Sequence, residues 1–192
     1  MIRQATALIP TSWGNFQMSA FSDSAIDPMP IVLFAHPELD VETPVFVRIH
    51  SECFTGDIFG SLRCDCGEQL HKSMEIIQKE KGALIYLRQE GRGIGLIPKL
   101  KAYNLQDNGW DTADANTHLG YHVDNRSYSS AIEILVKIGI NRIKLITNNP
   151  NKLAYFNHSP IEVVERIPLI IESSTFNRQY LKTKKEKMGH LL

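Results

Sequence analysis

The spacing of apolar residues changes at Gly67, and that change limits the architectures open to this chain. Before it, "ALIPTSWGNFQMSAF", "PIVLFAHPELD" and "TPVFVRIH" are short apolar runs broken by Pro, Gly and Asp, the pattern of strands joined by turns. After it, Leu70, Met74 and Ile77 recur at helical spacing in "GEQLHKSMEIIQKEKG", with Lys79 and Lys81 in the last turn and Gly82 as a stop. "ALIYLRQ" (83–89) then reads as a buried strand, "EGRGIG" as a glycine-rich turn and "LIPKLKAYNLQDNG" as a helix ending near Gly109. An irregular segment, "WDTADANTHLGYHVDNR", follows. Beyond it, the helix "SYSSAIEILVKIG", the strand "RIKLITNN", a short helix from Pro150 and the strand "IEVVERIPLI" continue the alternation, as βαβ units do. The expected fold class is therefore α+β (mixed α/β), with N-terminal strands followed by alternating helices and strands around a mixed sheet.

A chain of 192 residues, 43% of them hydrophobic, can enclose a sizeable core, and one unit over residues 1–192 is expected. Lys plus Arg equals Asp plus Glu at 21 each, which argues against a general attraction to nucleic acid or a membrane surface. No apolar window approaches the length of a spanning helix, so a cytoplasmic protein is expected. The closing "NRQYLKTKKEKMGHLL" carries a lysine run that reads as a solvated face rather than a binding site.

All 3 cysteines, Cys53, Cys64 and Cys66, fall within "CFTGDIFGSLRCDC". In a reducing compartment such tight, odd-numbered clustering suits a metal or a catalytic thiol better than a structural disulfide. Zinc favours thiolate and imidazole ligands, and Gly56, Gly60 and Gly67 let the segment fold back on one ion. Ligand count then separates two readings. His50, three residues before Cys53, could close a structural site; three thiolates alone would leave a position for water, whose pKa zinc lowers from about 15.7 to roughly 7. In the second case hydrolysis is the default chemistry, with Glu52 a candidate proton carrier. "HSEC" matches the H-x-E of zinc nucleobase deaminases, but their following P-C-x-x-C is missing.

Three helix starts offer places for anions. "YLRQEGRGIGL" sets glycines between a strand and a helix, with Glu90 and Arg92 flanking Gly91. Glu90 could accept from guanine N1–H and its amino group, and Arg92 could grip phosphate in two places. "LITNNPNK" brings Asn149 as a cap, Pro150 at the first helical position and Lys152. "DNRSYSS" puts Asp124 and Arg126 just before a helix. Together they suggest an extended, multiply charged ligand.

"RIHSECFTGDIFGSLRCDCGEQL", "LRQEGRGIGL", "KAYNLQDNGWDTADAN" and "TNNPNK" closely resemble GTP cyclohydrolase II, the enzyme opening the riboflavin pathway; the similarity extends to "VERIPL" and the closing "KTKKEKMGHLL". The resemblance implies that Cys53, Cys64 and Cys66 hold one catalytic zinc with its fourth position open. It puts GTP contacts on Arg48, Ile49, His50, Ser51, Glu52, Gln69, Glu90, Gly91, Arg92, Thr112, Thr147 and Lys152. It puts catalytic roles on Tyr103, Asp124 and Arg126. It also implies Mg2+ with the triphosphate, a homodimer, and release of formate and pyrophosphate. Many relatives carry this domain behind a dihydroxybutanone-phosphate synthase domain, and this chain suits the monofunctional form. His122 departs from the family pattern and is expected to stay out of the site.

Overall fold

Apolar alternation produces four strands before the first long helix: β1 (Ile2–Thr11), β2 (Gly14–Ser22), β3 (Ile31–Ala35) and β4 (Val45–Ser51). Next come α1 (Phe54–Asp57), α2 (Cys66–Lys79), β5 (Ala83–Leu87), a 3-10 turn over Glu90–Gly93, and α3 (Leu96–Asp107). The remainder is α4 (Thr112–His118), α5 (Ser129–Lys137), β6 (Arg142–Ile146), α6 (Pro150–Phe156), β7 (Glu162–Ile167) and α7 (Arg178–Met188). This computed structural model describes residues 1–122 and 124–191, without the side chains of Thr112, Ala113, Gln179, Lys187 and Met188.

Among the described residues the strands form one sheet in the order β1-β2-β3-β5-β4-β6-β7. Pairing is antiparallel from β1 through β3 to β5, and parallel where β4 meets β5 and β6 and where β6 meets β7. This is the expected mixed sheet. Side chains alternate across it. Ile49, Ile85, Leu145 and Ile143 face α5, whose Ala131, Ile134 and Leu135 fill one core. Leu84 and Ile146 face the other way, against Met74 and Ile77 of α2. The helical spacing read from Met74 and Ile77 is therefore the stripe that α2 buries. Parallel β4, β5 and β6 end along the same edge, at Ser51, Leu87 and Ile146. In open α/β sheets that edge is where ligands bind.

Two local expectations change. Helix α2 stops before Gly82: Lys81 takes the left-handed conformation (φ 53°), while Gly82 is needed for close approach, since a Cβ there would lie 2.3 Å from the Phe46 carbonyl oxygen. The segment after Trp110 is not wholly irregular, because α4 forms within it. Asp111 starts that helix, its carboxylate accepting the Asp114 N–H at 3.0 Å and its carbonyl the Ala115 N–H at 2.9 Å. Ala115 is the only apolar residue of the helix with a buried side chain described, so no periodic signal announces it.

Candidate active site

The cysteine loop is built on the end of β4. Cys53 begins α1, and its N–H donates to the Asp57 carboxylate at 2.9 Å. The same carboxylate accepts the Tyr86 hydroxyl at 2.8 Å and lies 3.1 Å from His50 Nε2 through both oxygens. Asp57 thus fastens the loop to two neighbouring strands. Two points where the loop doubles back are close-packed at glycine, tightly at Gly56 and prohibitively for a side chain at Gly67. A Cβ at Gly56 would sit 3.1 Å from the sulfurs of both Cys53 and Cys64, and one at Gly67 would sit 2.4 Å from the Gly56 carbonyl oxygen. The three sulfurs consequently lie within 4.8 Å of one another, with Cys53 and Cys64 3.6 Å apart.

The donor chemistry of this cluster fits a soft divalent cation. S–H donation from Cys64 and Cys66, together with Lys99 Nζ at 3.1 Å, pushes the Cys53 thiol far down. Its partners move the other way: interaction with Cys53 takes Cys64 up to about 11 and Cys66 well above its ordinary value. One anionic sulfur opposes the next, so a cation among them is what lets all three ionise. Three thiolates are a zinc-type set. Among the described residues no histidine or carboxylate joins them. His50 in particular does not close the site, because Nε2 is committed to Asp57 and the ring stacks on Tyr86. Burial holds His50 below its ordinary pKa, and its Nδ1 is buried without a partner.

A cavity opens beside the sulfurs along the carboxyl edge of the parallel strands. Arg48, His50, Ser51, Glu52, Gln69, Glu90, Gly91, Arg92, Tyr103, Arg126, Thr147 and Lys152 all line it with the three cysteines. Ile49 does not: its side chain is in the core, and only its carbonyl is engaged, by Lys152 Nζ at 2.6 Å. Asp124 lies just behind the wall, accepting from Arg126 Nε at 2.9 Å and Nη2 at 2.5 Å. The Thr112 side chain lies outside the described residues. His122 is exposed and does not line the cavity.

The cavity wall is strongly basic. Burial pushes Arg48 down to about 10, so it stays charged at neutral pH. Arg48 Nη2 donates to Gln69 and Nη1 to the Ile146 carbonyl, leaving Nε buried without a partner. Arg92 sits at φ 61°, a left-handed conformation a side chain adopts at a cost of order 1–3 kcal/mol, and its Nη1 is also buried and unpartnered. Burial opposes the charge on Arg126, but the paired Asp124 carboxylate outweighs it and raises the pKa. Burial, then Arg48, Arg126 and Lys184, push Lys152 well down. Glu90 is more occupied than its sequence suggests: it accepts from Phe54 N–H at 2.5 Å, Gly91 N–H at 2.6 Å and Lys99 Nζ at 2.8 Å.

Several wall residues lie outside the sequence-based expectations, among them Lys99, Tyr180, Lys184 and His190. Lys99 had a signal, one helical turn before Tyr103 on α3. The last three come from α7 and its end. The lysine run reads as a solvated face, which holds for the exposed Lys182 and Lys185 and is corrected at Lys184, which is 7% exposed and whose Nζ donates to Asp65 Oδ1 at 2.5 Å. Nothing local in "KTKKEK" distinguishes Lys184 from its neighbours; burial by distant segments does.

Fold and site together define a mixed α/β protein with a three-cysteine metal-type centre beside a cationic cradle. The family model described as GTP cyclohydrolase II matches residues 2–168, and the chain belongs to the GTP cyclohydrolase II family. It is 48% identical over 191 residues to the riboflavin biosynthesis protein RibBA of Chlorobium phaeovibrioides, covering 99% of this chain and 46% of that protein. It is 47% identical over 191 residues to RibBA of Bacillus cereus, covering 99% and 48%. The chain thus spans about half the length of the curated relatives it matches. RibBX of A. baumannii, a two-domain 3,4-dihydroxy-2-butanone 4-phosphate synthase, shares the fold at a TM-score of 0.50 and 17% identity, over 88% of this chain and 40% of that one.

Proposed function

We propose that this chain hydrolyses GTP to 2,5-diamino-6-hydroxy-4-(5-phosphoribosylamino)pyrimidine, formate and pyrophosphate, the first committed step of riboflavin biosynthesis. One observation carries the reading: three converging thiols and a cradle with unpartnered arginine donors share one cavity. In the same reading residues 1–192 act as one unit, the metal is zinc, Mg2+ accompanies the triphosphate, and the working form is a cytoplasmic homodimer.

Cys53, Cys64 and Cys66 would hold the zinc, which would supply Lewis acidity and lower the pKa of water enough to provide hydroxide at neutral pH. The residues around it hold the substrate and move protons. Glu90 accepts from guanine N1–H and its amino group, exchanging the Lys99 contact for the base. The purine C8 then lies toward the thiols. One water opens the imidazole ring to a formamide, and a second releases formate. Tyr103, whose phenol is pushed up to about 12 mainly by burial, keeps its proton at neutral pH and can donate it to the departing nitrogen.

A third water cleaves between the α- and β-phosphates. Arg48, Arg92 and Lys152 hold the triphosphate, and Asp124 keeps Arg126 charged and aimed. A guanidinium raised by its carboxylate partner is no nucleophile, so Arg126 stabilises charge on the α-phosphate without forming a covalent intermediate. Mass spectrometry of the quenched enzyme should find no phosphoramidate at Arg126; finding one replaces this step with covalent catalysis.

Incubation with GTP, assaying formate, ammonia and pyrophosphate together, tests the whole reading. Formate and pyrophosphate without ammonia are expected. Ammonia with an intact ring would make the chain a deaminase, and bound but unchanged GTP would make it a zinc-stabilised binding module.

A further inference from the structure

The segment from Leu169 onward lies beyond the matched family model, yet its Tyr180, Lys184 and His190 line the cavity together with the three cysteines. Helix α7 is flanked by Asn177, whose side-chain oxygen accepts the Ser174 N–H at 2.7 Å, and by Gly189 in the left-handed conformation (φ 65°). Past Gly189 the chain is strapped down: His190 N–H donates to the Lys184 carbonyl at 3.0 Å, and Leu191 N–H to the Asn148 carbonyl at 2.9 Å. Asn148 belongs to the turn after β6 that carries Thr147. The helix is therefore fixed at its end to the same strand edge that holds the cavity.

From that position Lys184 enters the cysteine loop. Two ligands separated by one residue can meet a single ion only if the turn between them sends the intervening side chain elsewhere. That side chain is Asp65, 1% exposed, in the bridge region at φ −100° and ψ 11°. Its Oδ1 takes Lys184 Nζ at 2.5 Å, and its Oδ2 takes Gln69 Nε2 at 2.6 Å. Gln69 Oε1 in turn accepts Arg48 Nη2 at 2.6 Å. An uncompensated buried carboxylate at this point would be costly, and Lys184 is the cation placed against it.

We propose that Lys184 is a positioning residue for the metal centre: delivered by α7, it holds Asp65 inward so that Cys64 and Cys66 face one ion. The inference rests on the metal reading above. It makes the lysine run part of the site, through one of its members.

The test compares zinc-loaded full-length wild type, Lys184→Met, Lys184→Arg and Lys185→Met, the last an exposed neighbour on the same helix. Zinc transfer to a chromogenic chelator is followed alongside thermal melting and KM for GTP. Lys184→Met should lose zinc about tenfold more readily, the usual scale for removing an outer support of a metal site. Lys184→Arg should recover most of the retention, and Lys185→Met should match wild type. Asp65→Asn provides a second route should Lys184→Met melt below the assay temperature: it should mimic that loss, and the double variant should be no worse than either single one. Zinc retention in Lys184→Met equal to wild type, with or without a raised KM, overturns the inference while leaving the metal reading intact. Additive losses in the double variant overturn it likewise. Wild type that holds no zinc overturns the metal reading and this inference with it.

Discussion

A Cβ at Gly56 would sit 3.1 Å from two of the sulfurs, closer than ordinary van der Waals contact, so the thiols would have to give by a few tenths of an ångström. Gly56→Ala should therefore spread the thiols and weaken zinc retention on the order of tenfold, measured by chelator competition, with the melting temperature of the metal-free protein little changed. Removing a ligand should do more. Cys64→Ser is expected to abolish zinc content and formate release together, and a variant retaining both would exclude the cluster as the reactive centre. Clustering of cysteine was visible in the chain, as was glycine around it. The commitment of His50 was not: its partner Asp57 lies seven residues on, and its stacking partner Tyr86 comes from another strand.

Helix α6 shows how much local rules can specify. Asn149 Oδ1 accepts the Asn151 N–H at 2.9 Å, and Pro150 occupies the first turn, as "TNNPNK" indicates. Asn149→Ala should cost about 1 kcal/mol and lower Tm by roughly 2–4 °C for a chain of this size, read by calorimetry. Because α6 also carries buried Lys152 to the Ile49 carbonyl, KM for GTP should rise in the same variant. An unchanged Tm would remove the capping role. Helices α4 and α7 were less legible. The first depends on Asp111 rather than on apolar spacing, and the second buries a lysine that its own sequence presents as one of several.

Stability of the molecule as a whole should respond to acid through two imidazoles, the buried His50 and the half-buried His190. Burial first, then the neighbouring cations Lys184, Arg126, Arg92 and Lys152, push His190 down to about 3; burial also lowers His50. Above the unfolded value of 6.5 both are neutral in either state and cost nothing. Below it, the unfolded chain takes up protons that the folded chain refuses, so stability should fall as pH drops from 6.5 toward 3. Tm should be lower at pH 5 than at pH 7.5, and His190→Gln should reduce the difference; an unaltered pH dependence in that variant would exclude His190 as a contributor. The chain's own sequence determined the strands, the buried stripe of α2, the cap of α6 and the presence of a thiol cluster, because apolar period, capping and residue chemistry act over a few neighbours. Only the tertiary structure decided that β4, β5 and β6 run parallel and end together, that Asp57 rather than a metal takes His50, and that Lys184 reaches Asp65. Those outcomes depend on contacts between residues far apart in sequence, fixed by which surfaces bury one another.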